Sequence, residues 1–501
     1  MLITEAYKEE INGVIGCYDR VIIRGTNGRW GYPDGMTSFF FENEIKIFDF
    51  AKVFTPITEV IKENAEKLAE ENEIKIEYIR NAKAFRKDDR IEEILSQRGT
   101  HDGLVHIFSA LETSKTYQPW HNKQTNRCYF LPDNVKCLHY YFYFIDRELG
   151  LCFFKVATTA PFQVMFYFNG HNYLASKLRK KNIGFDKKDN AFLDIADFKG
   201  AQELSDNIKV EEIHTALDVY RKKCLPLPEN FSPFYNWTIQ QVEYSLDISF
   251  KSADTLKPLY DNIIKTAMHT VTPDNIANFL GKRFSIQFEG EAGSQFNKRI
   301  LGTRIKHQMG EISLKIYDKF GKVLRIEVTS NDVSQLRIHR EVLKRDGSKV
   351  NEMAAVKKSI YSLFVLTKVF RSACNRYLEF ISSFDDPSDG FNNLNKVVED
   401  TKEKKRNYKG FNFFGQADRN ILLAVADGKF VAKGITNKSL RGVLGKTANQ
   451  VTRILSRLRI HGLIKKVGKS YAYHLTKLGR DVIVAGFKFI HTSLIPSLAT
   501  A

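Results

Sequence analysis

The chain has little cysteine, and what it has is scattered. Its six cysteines (Cys17, Cys128, Cys137, Cys152, Cys224 and Cys374) are spread over 501 residues and form no CxxC. That spacing argues against a structural zinc site or a disulfide framework and favours reduced, buried thiols. Walker A, GxGxxG, HExxH and GxSxG are all missing, which removes the common nucleotide-loop, zincin and serine-hydrolase signatures. The opening MLITEAYKEE has neither the basic n-region nor the apolar core of a signal peptide. No uninterrupted apolar run approaches the roughly 20 residues of a membrane span. The expectation is a soluble, cytoplasmic protein with no membrane partner.

Acidic residues are scarce in one place only. The whole chain carries 76 Lys and Arg against 58 Asp and Glu, a net charge of +18. Residues 401–501 hold 20 of those cations and four acids, so this last fifth is +16 and everything before it is +2. A compact basic region attached to a nearly neutral body is the electrostatic footprint of a nucleic-acid partner, DNA first and RNA as the alternative. Oligomeric state is not legible.

Periodicity predicts an α+β multidomain chain. Strand and helix patterns alternate over 1–115, from DRVIIRGT through FTPITEVIKENAEKLAEENE to GLVHIFSAL, which predicts a small α/β domain. Residues 116–385 read as a central α+β domain opening on an aromatic β region, CLHYYFYFIDRELGLCFFKVAT. Its continuous aromatics, Tyr140 to Phe144, favour the core of a central strand, with a base-stacking platform for single strands as the alternative. A polar stretch over 386–412 reads as a linker. From 413 to 501 come three helix patterns, two short strands around Gly468 and a closing helix.

That last order, with Gly462-Leu463-Ile464 before a basic wing and then Tyr473-His474-Leu475-Thr476-Lys477-Leu478-Gly479, resembles the MarR-like winged helix-turn-helix. At this length the chain is similar to large bacterial proteins that end in such a domain. The resemblance implies a recognition helix presenting Lys446, Thr447, Asn449, Gln450, Arg453 and Arg457. It also implies a wing whose Lys465, Lys466 and Lys469 reach phosphates.

About 400 residues remain for another task. The stretch KIYDKFGKVLRIEVT, Lys315–Thr329, predicts a hairpin turning at Phe320-Gly321. It resembles the YDK and LRIE strands of rolling-circle replication initiators, through Tyr317-Asp318-Lys319 and Leu324-Arg325-Ile326-Glu327. The resemblance implies a tyrosine nucleophile, Tyr317, with Asp318 and Glu327 as catalytic carboxylates and ligands of Mg²⁺ or Mn²⁺. The His-hydrophobic-His metal motif of relaxases is absent, and Tyr361 and Tyr377 compete as nucleophiles. The bland alternative makes Asp318 and Gly321 turn residues and Arg325 and Glu327 an exposed pair on one face. A partial echo of the hairpin occurs at FIDRELGLCFFKVAT, a hint of internal duplication. Three readings follow: a mobile-element or replication protein with metal-dependent nicking or strand transfer, a non-enzymatic regulator, and a structured-RNA-binding protein.

Overall fold

The computed structural model describes residues 2–80, 85–228, 234–282, 291–299, 302–383, 388–404, 406–428, 430, 434–466 and 471–499. The chain forms two compact units, 1–385 and 386–501. The first is built on an 11-stranded sheet in the order β10-β11-β12-β13-β9-β1-β6-β5-β4-β3-β2. Its strands are β1 (Ile11–Asn27), β2 (Glu77–Ile79), β3 (Gly103–Asn122), β4 (Arg127–Asp146), β5 (Gly150–Ala157) and β6 (Val164–Asn169). After the short hairpin β7 (Phe185–Lys188) and β8 (Ala191–Ile195) come β9 (Tyr235–Phe250), β10 (Ala292–Arg299), β11 (Gly302–Met309), β12 (Ile312–Lys319) and β13 (Val323–Ser330). The β2–β3 pair is parallel and the other neighbours are antiparallel. The expected boundary at 115/116 falls inside β3, and strands from both sides of it share one sheet.

The order contains a pseudo-symmetry. β1 and β9 pair at the centre. Each is followed by helices, then by a four-strand meander, β3–β6 or β10–β13, whose last strand returns beside it. Counted outward from the centre, β12–β13 corresponds to β5–β6. The echo noticed in the sequence is β4–β5, one strand out of step.

Two unequal layers cover the sheet. One face carries the main core, packed by α1 (Pro33–Glu42), α2 (Phe50–Glu71), α6 (Val210–Cys224), α7 (Ala253–Thr270), α8 (Pro273–Phe279) and α9 (Leu363–Ser382). On the other face, smaller apolar clusters sit under α3 (Lys87–Arg98) at one end and under α4 (Gly170–Lys180), α5 (Phe198–Asp206) and β8 nearer the centre. The aromatic β region obeys the two-residue period of a strand. Tyr140, Phe142 and Phe144 enter the main core, while Tyr141 and Tyr143 lie under α3. α9 begins only at Leu363, because Lys349–Ala355 pairs with Arg337–Leu343 as a separate hairpin before it.

In the second unit, α10 (Ser388–Val398) occupies much of the expected linker. There follow α11 (Gln416–Ala426), α12 (Asn437–Leu444), α13 (Ala448–Ile460), strands β14 (Ile464–Lys466) and β15 (Tyr473–Leu475), and α14 (Lys477–Phe489). Gly445 stops α12 in the left-handed conformation, φ 63°, which costs glycine nothing. Thr436 and Thr447 cap α12 and α13 with reciprocal side-chain bonds. One helix among the described residues, Lys477–Ala499, is long and apolar enough by length and composition to cross a membrane. Lys477, Arg480, Asp481 and Lys488 interrupt its apolar run.

Candidate active site

The site grows from cross-strand pairing. Lys315 of β12 stands opposite Glu327 of β13, Glu327 opposite Ser245 of β9, and Ser245 opposite Cys17 of β1. Directly paired residues share a face, so a polar row crosses four strands on the side away from the main core. The register of β1 against β9 shifts between Tyr18 and Val21, and Asp19 sits in that irregularity. A bulge of this kind re-aims a side chain. Asp19, Glu243 and Glu327 thereby bring one carboxylate oxygen each within 4.8 Å of one another.

Tyr317 donates its phenolic hydrogen to Glu327 Oε2 at 2.8 Å, and Lys315 Nζ lies 2.5 Å from the other oxygen. Lys315 also approaches Glu243 at 3.6 Å, and Arg20 reaches Glu243 at 3.9 Å. Burial and the Glu327 carboxylate push the Tyr317 phenol well above its ordinary value. Burial and the same carboxylate raise Glu243.

Beside the triad lies a fully buried ion network. Arg325 grips Asp247 with a two-point fork, Nε–Oδ1 2.7 Å and Nη2–Oδ2 2.6 Å, and lies 3.4 Å from Asp19 Oδ2. Its Nη2 also donates to the Asn190 carbonyl in the β7–β8 turn. Both Nη2 hydrogens are therefore used, and none remains for His171 Nε2 at 3.1 Å. His171 instead lies between carboxylates, Asp19 at 3.3 Å from Nδ1 and Asp247 at 3.4 Å from Nε2. Burial disfavours its charge, but Cys17, Asp19 and Asp247 outweigh that and raise its pKa well above the ordinary value. Asp19 and Asp247 stay ionised: burial opposes this, and His171 and Arg325 overcome it. Asn169 and Asn190 donate to Asp19 Oδ1 at 3.0 and 2.6 Å.

The three hairpin residues singled out from the sequence part company. Tyr317 and Glu327 meet. Asp318, one residue along β12, points to the opposite face with Leu314 and Ile316, which belong to the main core. Burial raises its carboxyl, and it contributes nothing to the triad. Arg325 and Glu327 do share a face, but both are buried rather than exposed. Phe320 and Gly321 form the turn, with φ 59° and 72°. Of the rival tyrosines, Tyr377 is buried against His307 at 2.9 Å, and Tyr361 bonds His214 at 2.8 Å. His139, His171 and His307 do not gather. Asp19 and Glu243 were not singled out from the sequence, since it takes the pairing of β9 with β13 to bring Glu243 to the hairpin and that of β1 with β9 to bring Asp19.

In the second unit, Lys446, Thr447, Asn449, Gln450 and Arg453 are exposed around the start of α13. Thr447 and Gln450 also cap it, Thr447 N donating to Gln450 Oε1 at 3.0 Å. Lys465 and Lys466 are exposed on β14, and Lys469 lies outside the described residues. Arg457 is held inward: it pairs with Asp418 at 2.7 Å, donates to the Lys409 carbonyl and lies over the Phe411 ring at 3.9 Å. No family model, curated protein or solved structure matches the chain.

Proposed function

We propose that the chain binds nucleic acid, DNA before RNA, through a winged helix in its second unit, and cleaves or transfers a phosphodiester at the Asp19–Glu243–Glu327 triad. This is the activity of a replication or mobile-element protein. The observation that carries the reading is the Tyr317 phenol bonded to a carboxylate that is itself one of three converging on a single point.

Three carboxylate oxygens suit a hard divalent cation such as Mg²⁺ or Mn²⁺. A cation held there would supply positive charge beside the phenol and the leaving oxygen. The chain's own groups do the rest. Glu327 accepts the phenol proton at 2.8 Å as Tyr317 Oη bonds to phosphorus; the P–O ester bond breaks, and the leaving oxygen takes a proton from solvent water. Lys315 sits where it can hold a non-bridging phosphate oxygen once Glu327 is protonated. Arg325 and His171 fix Asp19 from the far side.

The test incubates the protein with labelled single-stranded DNA, duplex DNA and RNA, with Mg²⁺, Mn²⁺ or EDTA. Metal-dependent nicking or a covalent protein–DNA adduct supports the reading; salt-sensitive binding without cleavage under any metal overturns its catalytic half. One observation favours that second, regulatory outcome: Lys315 and Arg20 already neutralise Glu243 and Glu327.

Two further results are expected. Because Glu243 holds its proton more tightly than an ordinary carboxyl, protons compete with metal there. Mn²⁺ affinity by calorimetry should rise with pH just above the usual carboxylate range, and Glu243→Gln should weaken binding and flatten that rise. In the second unit, Lys465→Glu with Lys466→Glu should weaken duplex binding at every sequence. It should also make the plot of log K against log salt shallower by about 0.9 per lost phosphate contact, read by anisotropy.

A further inference from the structure

The pseudo-symmetry lets the two halves of the sheet be compared row by row. In the second half the row is Lys315 on β12, Glu327 on β13 and Ser245 on β9. In the first half, the row through Lys155 of β5 runs to Met165 of β6 and Arg24 of β1. The lysine recurs, the carboxylate is replaced by methionine, and the serine by arginine. The first row pairs a lysine with a carboxylate, whereas the row through Lys155 and Arg24 holds two cations and no carboxylate.

That cationic row floors a groove of about 320 Å³, lined by Arg24, Ser114, His139, Lys155, Gln163 and Gln240. Arg24 is half-buried, and among the described residues its guanidinium has no carboxylate partner. Lys155 is tethered by Glu112, which also accepts from Tyr141, and Lys87 lies over the Tyr141 ring at 3.5 Å. His139 is neutral at pH 7, since burial and then Lys155 depress it to about 4. The groove is therefore net positive, edged by amides that can donate.

Between groove and triad the same face carries two half-buried aromatic rings. Phe153 of β5 and Tyr167 of β6 stack with centroids 5.0 Å apart and planes 19° from parallel, and Arg20 lies over Tyr167 at 5.8 Å. Along β1 the order is Asp19 and Arg20, then Ile22 opposite Tyr167, then Arg24 opposite Met165. At about 3.3 Å per residue, Asp19 and Arg24 are some 16 Å apart along β1.

We infer that this face is a track for single-stranded nucleic acid, with the Arg24–Lys155 groove binding a backbone phosphate and the Phe153–Tyr167 pair supporting a base upstream of the triad. The inference rests on the phosphodiester reading above and adds the form of the substrate. A half-buried aromatic pair that keeps part of its rings in solvent can support unstacked bases of any sequence, and a guanidinium without a carboxylate partner suits a phosphate bidentately.

The test measures anisotropy of a fluorescein-labelled eight-nucleotide oligothymidylate on the full chain in EDTA, so that binding is read without turnover. Arg24→Gln should weaken binding about 5- to 10-fold at low salt and make the salt plot shallower by about 0.7, the value for one single-strand phosphate. Arg24→Lys should restore most of the slope. Tyr167→Leu should weaken binding about 10-fold with the slope unchanged. An Arg24→Gln protein that melts like the parent and keeps its affinity and slope would overturn the inference. Should that variant not fold, Gln163→Glu with Gln240→Glu, which removes no native cation, must weaken binding or the groove is not a phosphate site. The two readings separate cleanly. Metal-dependent nicking with a silent Arg24→Gln sinks the groove alone, whereas a flattened slope without nicking sinks the catalysis alone.

Discussion

Arg325→Met should destabilise the first unit by about 3–5 kcal/mol at neutral pH, measured by urea unfolding. The guanidinium is fully buried and is shared by Asp247 and Asp19, both held below the usual carboxylate range. Removing it leaves two buried carboxylates with only His171 as cation. Against a typical total stability of about 5–15 kcal/mol, a loss of that size leaves a marginal fold. The pH dependence fixes the cause. A carboxyl depressed in the folded state contributes stability that is complete above its unfolded pKa, near 3.9, and is lost as pH falls through the folded value. The gap between parent and variant should therefore be widest near neutrality and close below about pH 4. A gap independent of pH would mean that lost packing, not lost charge, is responsible. Arg325→Lys keeps the charge but not the fork on Asp247, so its cost should fall between the two.

Tyr317→Phe should abolish the covalent adduct and lower nicking by about three orders of magnitude or more, as removal of a nucleophile does elsewhere. The substitution deletes one hydroxyl and leaves the ring in place, so folding should be preserved. Glu327→Gln keeps a bonding partner for Tyr317 but removes both the proton acceptor and a ligand charge. It should lower nicking comparably and also weaken Mn²⁺ binding, which Tyr317→Phe should not. That split between chemistry and metal affinity separates the two roles. Asp318→Asn, on the core face, should leave nicking within about threefold of the parent. Loss of activity there with a normal melting curve would show the face assignment to be mistaken.

How far the site could be read from the sequence depended on distance along the chain. The β12–β13 hairpin, its turn at Phe320-Gly321 and the pairing of Tyr317 with Glu327 are local, and a 15-residue window contains them. The two-residue period, applied strictly, also separates Asp318 from Tyr317, though residue type alone grouped them. Asp19 and Glu243 were invisible for a different reason. In DRVIIRGT and QVEYSLDISF each looks like an isolated acid near a strand. Their convergence depends on a bulge in β1 and on pairing between segments over 200 residues apart. The burial of Arg325 is hidden in the same way, because its partners come from β1, β9 and the β7–β8 turn. In the second unit the helix caps and stops were legible because Thr436, Gly445 and Thr447 act on their own neighbours. The inward fold of Arg457 was not, since Asp418 and Lys409 lie 39 and 48 positions earlier.

The central pairing of β1 with β9 also sets an order of events during synthesis. β1 leaves the ribosome well before β9, so one of its edges has no partner until Tyr235–Phe250 follows. Asp19 must wait longer still, for Arg325. Between the synthesis of β1 and that of β9 the nascent chain therefore presents an apolar strand edge beside a carboxylate without its arginine, a combination that invites mispairing. Non-local closure of this kind is slow. A chain truncated before β13 should associate with chaperones or aggregate, which makes the last strand of the sheet the one that releases the first.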